Sequence, residues 1–266
     1  MLNLCIAGAS GRMGTAVIRE AIQKGYRIVG AIASPRGDLL GKSLQEAGIG
    51  NSSTQIVSPE KMRDAIVEAD VYISFTTPEA ELANLPLVTA MNKPLIIGTT
   101  GFTEEQWDSI KDSLTKRVRA VFAPNFSVGV NVLFKLTTIL QAIPSNYDIS
   151  VTEIHHTNKK DSPSGTAKRL CNLISKYKGY SKFVYGREGF SEREPAELEV
   201  LSIRVGGVPG IHEIIIGGPD EMLRIEHTAF SRNAFAKGTL YASEWLHNKN
   251  TPGIYTMEDV LFSEAG

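Results

Sequence analysis

Short apolar runs alternate with helical patterns along the first 125 residues of the chain. An apolar run predicts a buried strand, and apolar residues three and four positions apart predict an amphipathic helix. The predicted strands are Leu2–Ala7, Arg27–Ala33, Gln55–Val57, Val71–Phe75, Leu95–Gly98 and Arg119–Ala123. The predicted helices are Arg12–Lys24, Ser58-Pro59 to about Glu68, Pro78–Asn92, and a capping box at Thr103–Gln106 continuing to about Lys116. This alternation predicts a Rossmann-type, doubly wound parallel sheet.

The pattern changes after Asn125. The predicted elements are a long helix Val128–Ala142, a strand Ile149–His155, a helix Gly165–Lys178, three β-rich runs Glu199–Val205, Ile211–Ile216 and Met222–His227, and a terminal helix Ala234–His247. Gly206-Gly207 and Gly217-Gly218 are typical of turns between antiparallel strands. The polar stretch Lys176–Glu197 has no periodicity, and we expect a long loop. The second half therefore predicts an α+β domain built on a mainly antiparallel sheet, entered near Phe126 and left near Ala234.

Composition narrows the class of protein. The net charge is −1, from 28 Lys and Arg against 29 Asp and Glu, whereas a nucleic-acid-binding surface needs a basic excess. No apolar run approaches the roughly 18 residues of a membrane span, and the N-terminus lacks the basic region of a signal peptide. Two cysteines are too few for a disulfide framework. We therefore expect a cytoplasmic protein that binds neither nucleic acid nor a membrane.

A glycine-rich turn joins the first predicted strand to the first predicted helix. Its residues are Gly8, Ala9, Ser10, Gly11, Arg12, Met13 and Gly14. Glycines at this place allow a tight turn and a close approach of the backbone to a pyrophosphate, which the helix N-terminus attracts. The spacing is G-x-x-G-x-x-G, and the alternative is a plain turn without a ligand. In the context of strand, turn and helix we predict a dinucleotide site.

The end of the second strand indicates which dinucleotide is bound. An acidic residue there accepts a hydrogen bond from the ribose of NAD, whereas an arginine accommodates the 2′-phosphate of NADP. This chain has no carboxylate at that place, but it has Ser34 and Arg36. We therefore expect NADPH as the preferred cofactor, with NADH as the alternative. The competing interpretation is that Arg36 is only a solvated loop charge.

Two further loops follow strands of the same sheet. They are Gly98-Thr99-Thr100 and Ala123-Pro124-Asn125-Phe126. In open α/β sheets the ligand lies outside the carboxyl ends of the strands. Small, turn-forming residues at these ends are compatible with a nicotinamide ring lying against the backbone.

The densest group of polar residues runs from Glu153 to Thr166. His155 is suited to general acid catalysis, and Lys159 brings a second cationic group. Ser164 is a predicted N-cap, and the N–H groups of Gly165 and Thr166 behind it would bind a carboxylate. An anionic substrate follows, unless this is an ordinary capped helix after a solvated loop.

Zinc is excluded as a ligand of this segment. Neighbouring side chains of a strand point to opposite faces, so His155 and His156 are poorly placed to hold one metal ion together. No cysteine or carboxylate cluster completes a site, and we expect no metal. We expect the remaining histidines, His212, His227 and His247, to be structural.

Together these motifs resemble the dihydrodipicolinate reductase family, whose members are also called 4-hydroxy-tetrahydrodipicolinate reductases and act in lysine and diaminopimelate biosynthesis. The resemblance is carried by the glycine turn, Gly98-Thr99-Thr100-Gly101-Phe102, Asn125-Phe126-Ser127-Val128-Gly129-Val130-Asn131 and the Glu153–Thr166 run. It implies a nucleotide domain of residues 1–126 plus 236–266, and a domain of residues 127–235 for the substrate and for assembly into a homotetramer.

The resemblance also implies roles for individual residues. The glycine turn and the Gly98–Thr100 and Ala123–Phe126 loops would hold NAD(P)H. His155 and Lys159 would assist hydride transfer as proton donors, and His156, Gly165 and Thr166 would bind a small dicarboxylate. The alternative is another Rossmann-type dehydrogenase for a different small anion. A dinucleotide-sensing repressor would need a DNA-binding element, which the sequence lacks.

Overall fold

The computed structural model describes residues 1–114 and 118–262. It contains two compact units, one of Met1–Val128 with the chain from Asn233 onward, and one of Gly129–Arg232. The strands are β1 Asn3–Ala7, β2 Arg27–Ile32, β3 Ile56–Val57, β4 Val71–Ser74, β5 Leu95–Ile97, β6 Arg119–Phe122, β7 Asp148–His155, β8 Lys182–Val184, β9 Glu197–Arg204, β10 Gly210–Gly217, β11 Met222–Ala229 and β12 Gly253–Tyr255. The helices are α1 Arg12–Gln23, α2 Met62–Ile66, α3 Pro78–Ala90, α4 Glu104–Leu114, α5 Val128–Leu136, α6 Gly165–Lys178, α7 Asn233–His247 and α8 Met257–Phe262.

The first unit is built on a parallel sheet in the order β12-β6-β5-β4-β1-β2-β3. Alternate residues of β1 enter two different cores: Leu4 and Ile6 pack with α1 and α7, whereas Cys5 and Ala7 pack with α2, α3 and α4. Strands buried on both faces read as continuous apolar runs, which is why the sequence signals them clearly. The predicted Rossmann-type fold is confirmed.

Details at the ends of this sheet differ from the prediction. The edge strand β12 and the helix α8 were not predicted, because β12 is only three residues long and half-buried. The capping box is confirmed, since Gln106 N donates to Thr103 Oγ1 at 3.2 Å and Thr103 N donates to Gln106 Oε1 at 3.0 Å. The predicted end of that helix at Lys116 lies outside the described residues.

The second unit holds a mixed sheet in the order β11-β10-β7-β9-β8. Strand β10 is antiparallel to β11 and β7, whereas β9 is parallel to β7 and β8. The predicted hairpin at Gly217-Gly218 is confirmed. The prediction of a hairpin at Gly206-Gly207 is wrong. Strands β9 and β10 do not pair with each other, because β7 lies between them and forms hydrogen bonds with both. One face of the sheet packs against α5 and α6 around a core that includes Val151, Leu170 and Ile214.

The polar stretch after α6 is organised by a buried carboxylate rather than being a featureless loop. Glu197 accepts hydrogen bonds from Lys182 Nζ at 2.9 Å, from Glu194 N at 3.2 Å and from Arg187. The ammonium of Lys182 outweighs the effect of burial and lowers the pKa of Glu197 to about 2. The prediction of a long loop over Lys176–Glu197 is wrong at β8. Charged side chains that bind one carboxylate order this stretch, and such contacts produce no periodic pattern of apolar residues in the sequence.

Two helices are shorter than predicted. The helix that begins at Val128 continues after Leu136 as a 3₁₀ helix over Thr137–Ala142, where the Thr137 hydroxyl binds the carbonyl of Phe134 at 2.7 Å. Such a bond competes with the helix ladder. The Ser58-Pro59 start gives a 3₁₀ turn before α2, and the Ser58 side chain does not cap it. Within the described residues, no helix has the length and apolar character to cross a membrane.

Candidate active site

The glycine turn after β1 is shaped by the absence of side chains. Gly8 has φ +79°, and a Cβ placed on it would lie 2.2 Å from the carbonyl oxygen of Phe75. A Cβ on Gly14 would lie 2.1 Å from the carbonyl oxygen of Gly8, so α1 approaches the turn as closely as glycine permits. Gly11, the N-cap of α1, carries no capping side chain. The backbone N–H groups at this helix start therefore donate no hydrogen bond to an N-cap side chain, which is the arrangement that anion-binding helix starts have.

Some backbone N–H groups of this turn donate to a carbonyl within the protein, and others lie at the start of α1. The N–H groups of Gly8 and Ala9 donate to the carbonyl of Ile32 at 2.9 and 3.0 Å. Arg12 and Met13 open α1, and N–H groups at this place have no carbonyl four residues earlier in the helix. Strand β1 lies between β4 and β2, so the turn occupies the point where the strand order reverses. That point is where dinucleotides bind in this fold class.

The loop after β2 leaves its polar side chains in solvent. Ser34 and Arg36 are exposed, and Arg36 N donates weakly to Ser34 Oγ at 3.4 Å. The guanidinium of Arg36 makes no salt bridge with any described residue. It is therefore available to a phosphate, as the cofactor prediction requires.

The Gly98–Thr100 loop shows only part of its predicted surface. Thr99 is buried, and its hydroxyl donates to the carboxyl group of Glu81 at 2.7 Å. Thr100 is exposed. A Cβ on Gly98 would lie 2.1 Å from the ring of Phe75, which explains the glycine. The backbone of this loop and Thr100 remain for a ligand, whereas the Thr99 side chain is used inside the protein.

The loop after β6 likewise turns two of its side chains inward. Ala123 and Phe126 are buried, and the ring of Phe126 meets Phe75 edge-on with centroids 5.8 Å apart. Asn125 Oδ1 accepts a hydrogen bond from Ser127 N at 2.9 Å, which fixes the start of the following helix. Pro124 is exposed. Backbone and Pro124, rather than the aromatic ring of Phe126, are presented by this loop.

In the second unit a buried carboxylate holds the predicted acid. Glu153 and His155 lie two residues apart on β7 and therefore share a face. Glu153 is fully buried, and its carboxylate binds Nδ1 of His155. This contact makes Nδ1 the donor toward Glu153, so that Nε2 is the ring nitrogen not bound by this carboxylate. A Cβ on Gly210 would lie 3.1 Å from Nε2, so β10 approaches the ring at a glycine.

The same carboxylate has three further donors. Arg204 reaches it with both terminal nitrogens, Nη1 at 3.0 Å and Nη2 at 2.8 Å, and Ser164 N donates to it at 3.1 Å. The pairing of β7 with β9 explains this, because Arg204 is the direct neighbour of His155. Burial opposes ionisation, but the hydrogen bonds from His155 and Arg204 prevail and hold the pKa of Glu153 far below its usual range. Glu153 is thus an anion in the folded protein.

His212, expected from the sequence to be structural, lies beside this pair. Its ring meets that of His155 edge-on, with centroids 5.0 Å apart, and its Nε2 is 3.1 Å from Ser164 Oγ. Burial and then the neighbouring His155 lower the pKa of His212 to about 3, so it is neutral at physiological pH. Ser164 Oγ also accepts from Ala167 N at 3.1 Å, which confirms the predicted N-cap of α6.

The loop after β7 carries the other predicted residues. Lys159 Nζ binds Asp161 Oδ1 at 2.8 Å. Burial would raise the pKa of Asp161, but the Lys159 ammonium outweighs it and lowers that pKa. His156 N donates to the carbonyl of Val208 at 2.8 Å, so the β9–β10 connection supports the loop. This part of the chain presents His156 and Lys159 on an anchored backbone.

Gly165 and Thr166 are the first two residues of α6. Their N–H groups have no acceptor within the helix by position, which favours an anion at this end. A Cβ on Gly165 would meet nothing within 4 Å, so the approach to the helix start is open. Among the residues described by the structure, no group of three His, Cys, Asp or Glu side chains is placed to hold a metal ion.

Sequence reasoning missed three residues of this network and one of the first unit. Glu153 was within the polar run but had no assigned role, although its i,i+2 spacing from His155 on a strand is a usable signal. Arg204 and His212 have no such signal, because they reach Glu153 only through strand pairing. Glu81 is likewise visible only in the folded chain.

Comparisons with known proteins agree with the motifs. Residues 2–126 match the family model described as dihydrodipicolinate reductase, N-terminus, and residues 129–261 match that described as dihydrodipicolinate reductase, C-terminus. The chain is 41% identical to 4-hydroxy-tetrahydrodipicolinate reductase of Methanococcoides burtonii, over 99% of this chain and 100% of that protein. It is 40% identical to the protein of the same name from Methanosarcina mazei, over 98% and 99%. A dipicolinate-bound dihydrodipicolinate reductase from Paenisporosarcina sp. TG-14 has the same fold, with a TM-score of 0.74 at 22% identity over 98% of this chain and 99% of that one.

Proposed function

The chain belongs to the dihydrodipicolinate reductase family and is thus an NAD(P)H-dependent reductase of 4-hydroxy-tetrahydrodipicolinate, and we propose which of its residues carry out that reaction. Residues 1–126 with 236–266 bind the dinucleotide, and residues 127–235 bind the substrate. The reaction belongs to lysine and diaminopimelate biosynthesis, as the family does.

The dinucleotide is held by the Gly8–Gly14 turn and by the loops Gly98–Thr100 and Ala123–Phe126. The turn that only glycine can occupy and the open start of α1 support the pyrophosphate position. When bound, the cofactor supplies the hydride. Ser34 and Arg36 meet the ribose 2′-phosphate, which makes NADPH the preferred cofactor and NADH the weaker one.

Proton delivery is the task of His155 and Lys159. The 4-hydroxyl leaves as water to give a cyclic, unsaturated imine, and the hydride that adds to this conjugated ring leaves negative charge, which a nearby acid quenches with a proton to give tetrahydrodipicolinate. His155 donates from Nε2, because Nδ1 is held by Glu153. Lys159, held by Asp161, is the second donor. Glu153 and Arg204 act as positioning residues that fix the ring.

A substrate carboxylate binds at the start of α6. The N–H groups of Gly165 and Thr166 and the side chain of His156 surround it, and the helix dipole adds favourable charge. Binding at fixed backbone donors orients the ring for reaction, a positioning contribution.

One observation carries this assignment. The carboxylate of Glu153 binds both His155 Nδ1 and the N-cap residue Ser164, so a single buried group fixes the acid and the anion-binding helix start together. A merely structural His155 has no need of a link to that helix end.

The test compares His155→Gln and Lys159→Ala with Lys160→Ala, a matched control at the neighbouring exposed lysine. We expect the first two changes to lower kcat about 10²-fold or more, the usual contribution of a general acid, with the NADPH dissociation constant within about twofold of wild type. The control keeps wild-type kcat. Equal losses of kcat and NADPH affinity, or an equal loss in the control, would show that the acid assignment is wrong.

We also propose that the chain forms a homotetramer through the open face of the second sheet. Ile154, Ile203 and Ile211 form a row across β7, β9 and β10 on the face opposite the core, and Ile203 is 43% exposed. Leu201 and Met222 on the same face are also exposed. An apolar sheet face of this kind supports packing against further copies of the chain.

A cytoplasmic location completes the proposal. Cys5 and Cys171 are both buried free thiols. Free cysteines are typical of reducing compartments, where disulfides are rare. Localisation by fractionation of cells that express the tagged chain tests this directly, and recovery in an extracytoplasmic fraction would contradict it.

A further inference from the structure

A buried carboxyl group lies beneath the carboxyl ends of β4 and β5. Glu81, in the first turns of α3, has no solvent exposure. Its Oε2 accepts hydrogen bonds from three hydroxyl groups, Thr99 at 2.7 Å, Thr76 at 3.1 Å and Ser74. Ser74 ends β4, whereas Thr76 and Thr99 belong to the loops that follow β4 and β5. One oxygen atom therefore connects two neighbouring loops of the sheet.

The two loops are also joined to one another. Thr76 N donates to Thr99 Oγ1 at 3.0 Å, and the two hydroxyl oxygens are 3.2 Å apart. Gly98 N donates to the carbonyl of Ser74 at 2.9 Å. Each hydroxyl group has one hydrogen to donate, so the hydroxyls need an acceptor and Glu81 provides it. Without it, the buried hydroxyls of Ser74 and Thr99 and the half-buried hydroxyl of Thr76 lose the carboxyl acceptor that they share.

Filling this space with a carboxyl group costs more free energy than filling it with an apolar side chain. Glu81 makes no salt bridge with any described residue, and its Oε1 has no hydrogen-bond partner among them. Burial raises the pKa of Glu81, although the hydroxyl hydrogen bonds act in the opposite direction. An apolar side chain would fill the same place without the cost of desolvating a carboxyl group. Stability alone does not explain the residue.

We propose that Glu81 is a positioning residue for the dinucleotide, which holds the loops after β4 and β5 in their binding conformation through the hydroxyls of Thr76 and Thr99. Because the Thr99 side chain turns inward to Glu81, the backbone of Gly98–Thr100 is left to face the ligand. The inference rests on the proposed cofactor site at this loop and adds a residue that does not touch the cofactor.

The experiment measures NADPH binding by fluorescence titration, substrate KM, and Tm for Glu81→Leu, Glu81→Gln and Thr99→Val. The matched control is Ser243→Ala, which removes a buried hydroxyl that donates to the carbonyl of Thr239 at 2.8 Å in α7 of the same unit and has no hydrogen bond to Glu81 or to either loop. We expect Glu81→Leu to raise the NADPH dissociation constant about tenfold, the equivalent of one or two lost hydrogen bonds.

Substrate KM should change less than about twofold, since the substrate-binding residues keep their contacts. Glu81→Gln retains an acceptor oxygen and should stay within about threefold of wild-type NADPH affinity, and Thr99→Val should fall between Gln and Leu. Ser243→Ala should lower Tm and leave NADPH affinity unchanged. If Glu81→Leu does not fold, Thr99→Val and Glu81→Gln still carry the comparison.

Wild-type NADPH affinity in folded Glu81→Leu or Thr99→Val would overturn the inference. Gly98→Ala separates this failure from that of the proposed cofactor site, because its Cβ would displace the Phe75 ring at the same loop. If Gly98→Ala weakens NADPH binding and the Glu81 variants do not, only the role of Glu81 is wrong. If none of them does, the loop is not part of the cofactor site.

Discussion

Replacement of Glu153 by glutamine tests the centre of the proposed site. The change keeps the shape of the side chain but removes its negative charge. His155 loses a charged acceptor at Nδ1, and Arg204 loses the two charged hydrogen bonds that it makes at 2.8 and 3.0 Å. Ser164 N retains an acceptor, because the amide oxygen of glutamine can take the place of Oε1. The perturbation is therefore electrostatic and local.

The magnitude follows from burial. Removing one partner of a buried ion pair costs about 3–5 kcal/mol, but the Arg204 side chain is 19% exposed, and water compensates part of the loss. We expect unfolding to become easier by about 2–3 kcal/mol at pH 7, within the range for hydrogen bonds to charged groups. Loss of the carboxylate that orients the His155 ring should lower kcat about 10²-fold or more, as in catalytic triads.

The pH dependence provides an independent check. Because the folded protein holds the pKa of Glu153 below its usual range, the ionised carboxylate stabilises the fold above the unfolded pKa of about 4.3. That contribution is lost as the pH falls through the folded pKa. The stability difference between wild type and Glu153→Gln, measured by urea unfolding, should thus be constant near pH 7 and shrink below about pH 4.

Glu197→Gln is the matched control. Glu197 is also a nearly buried carboxylate with a lowered pKa, held by Lys182 and Arg187, but it does not contact His155. We expect the control to lose stability and to keep wild-type kcat at a temperature where both proteins are folded. Wild-type kcat in Glu153→Gln would refute the role of Glu153 as the residue that orients His155. An equal loss of kcat in the control would show that activity follows general stability instead.

Three further predictions concern single positions. Arg36→Ala should raise KM for NADPH about tenfold and KM for NADH hardly at all, because one charged contact to a 2′-phosphate is lost; equal changes in steady-state KM would exclude that contact. Gly210→Ala should lower kcat while Tm changes little, because the new Cβ would lie 3.1 Å from His155 Nε2; unchanged kcat would mean that Nε2 is not the working nitrogen. Ile203→Lys places a charge on the open sheet face and should convert the tetramer to smaller species in light scattering, whereas a wild-type mass would show that this face is not an interface.

The predicted fold and much of the predicted site were accessible from local patterns. The parallel sheet of the first unit appears in the sequence because both faces of its strands are buried, and the turn at Gly8 appears because no other residue tolerates its backbone and contacts. The N-cap at Ser164 and the capping box at Thr103 are signals within four residues. Interactions between residues close in sequence produce these features, so local sequence patterns predict them.

The errors share a different cause. The predicted β9–β10 hairpin failed because β7, more than forty residues earlier in the chain, is inserted between those strands. The prediction of a long loop failed at β8 because Glu197 organises the stretch through ion pairs. Neither a distant strand partner nor a buried carboxylate leaves a periodic trace in sequence.

The sequence by itself determined the two kinds of sheet, the glycine turn, the N-cap at the start of α6 and the candidate donors His155 and Lys159. Only the tertiary structure decided how these groups are held. Placing β7 between β9 and β10 brings Arg204 and His212 beside Glu153, and the ends of β4 and β5 bring Thr76 and Thr99 to Glu81. A local signal reports what a residue does to its own segment, whereas the pairing of distant strands decides which charges and hydroxyls meet in the interior.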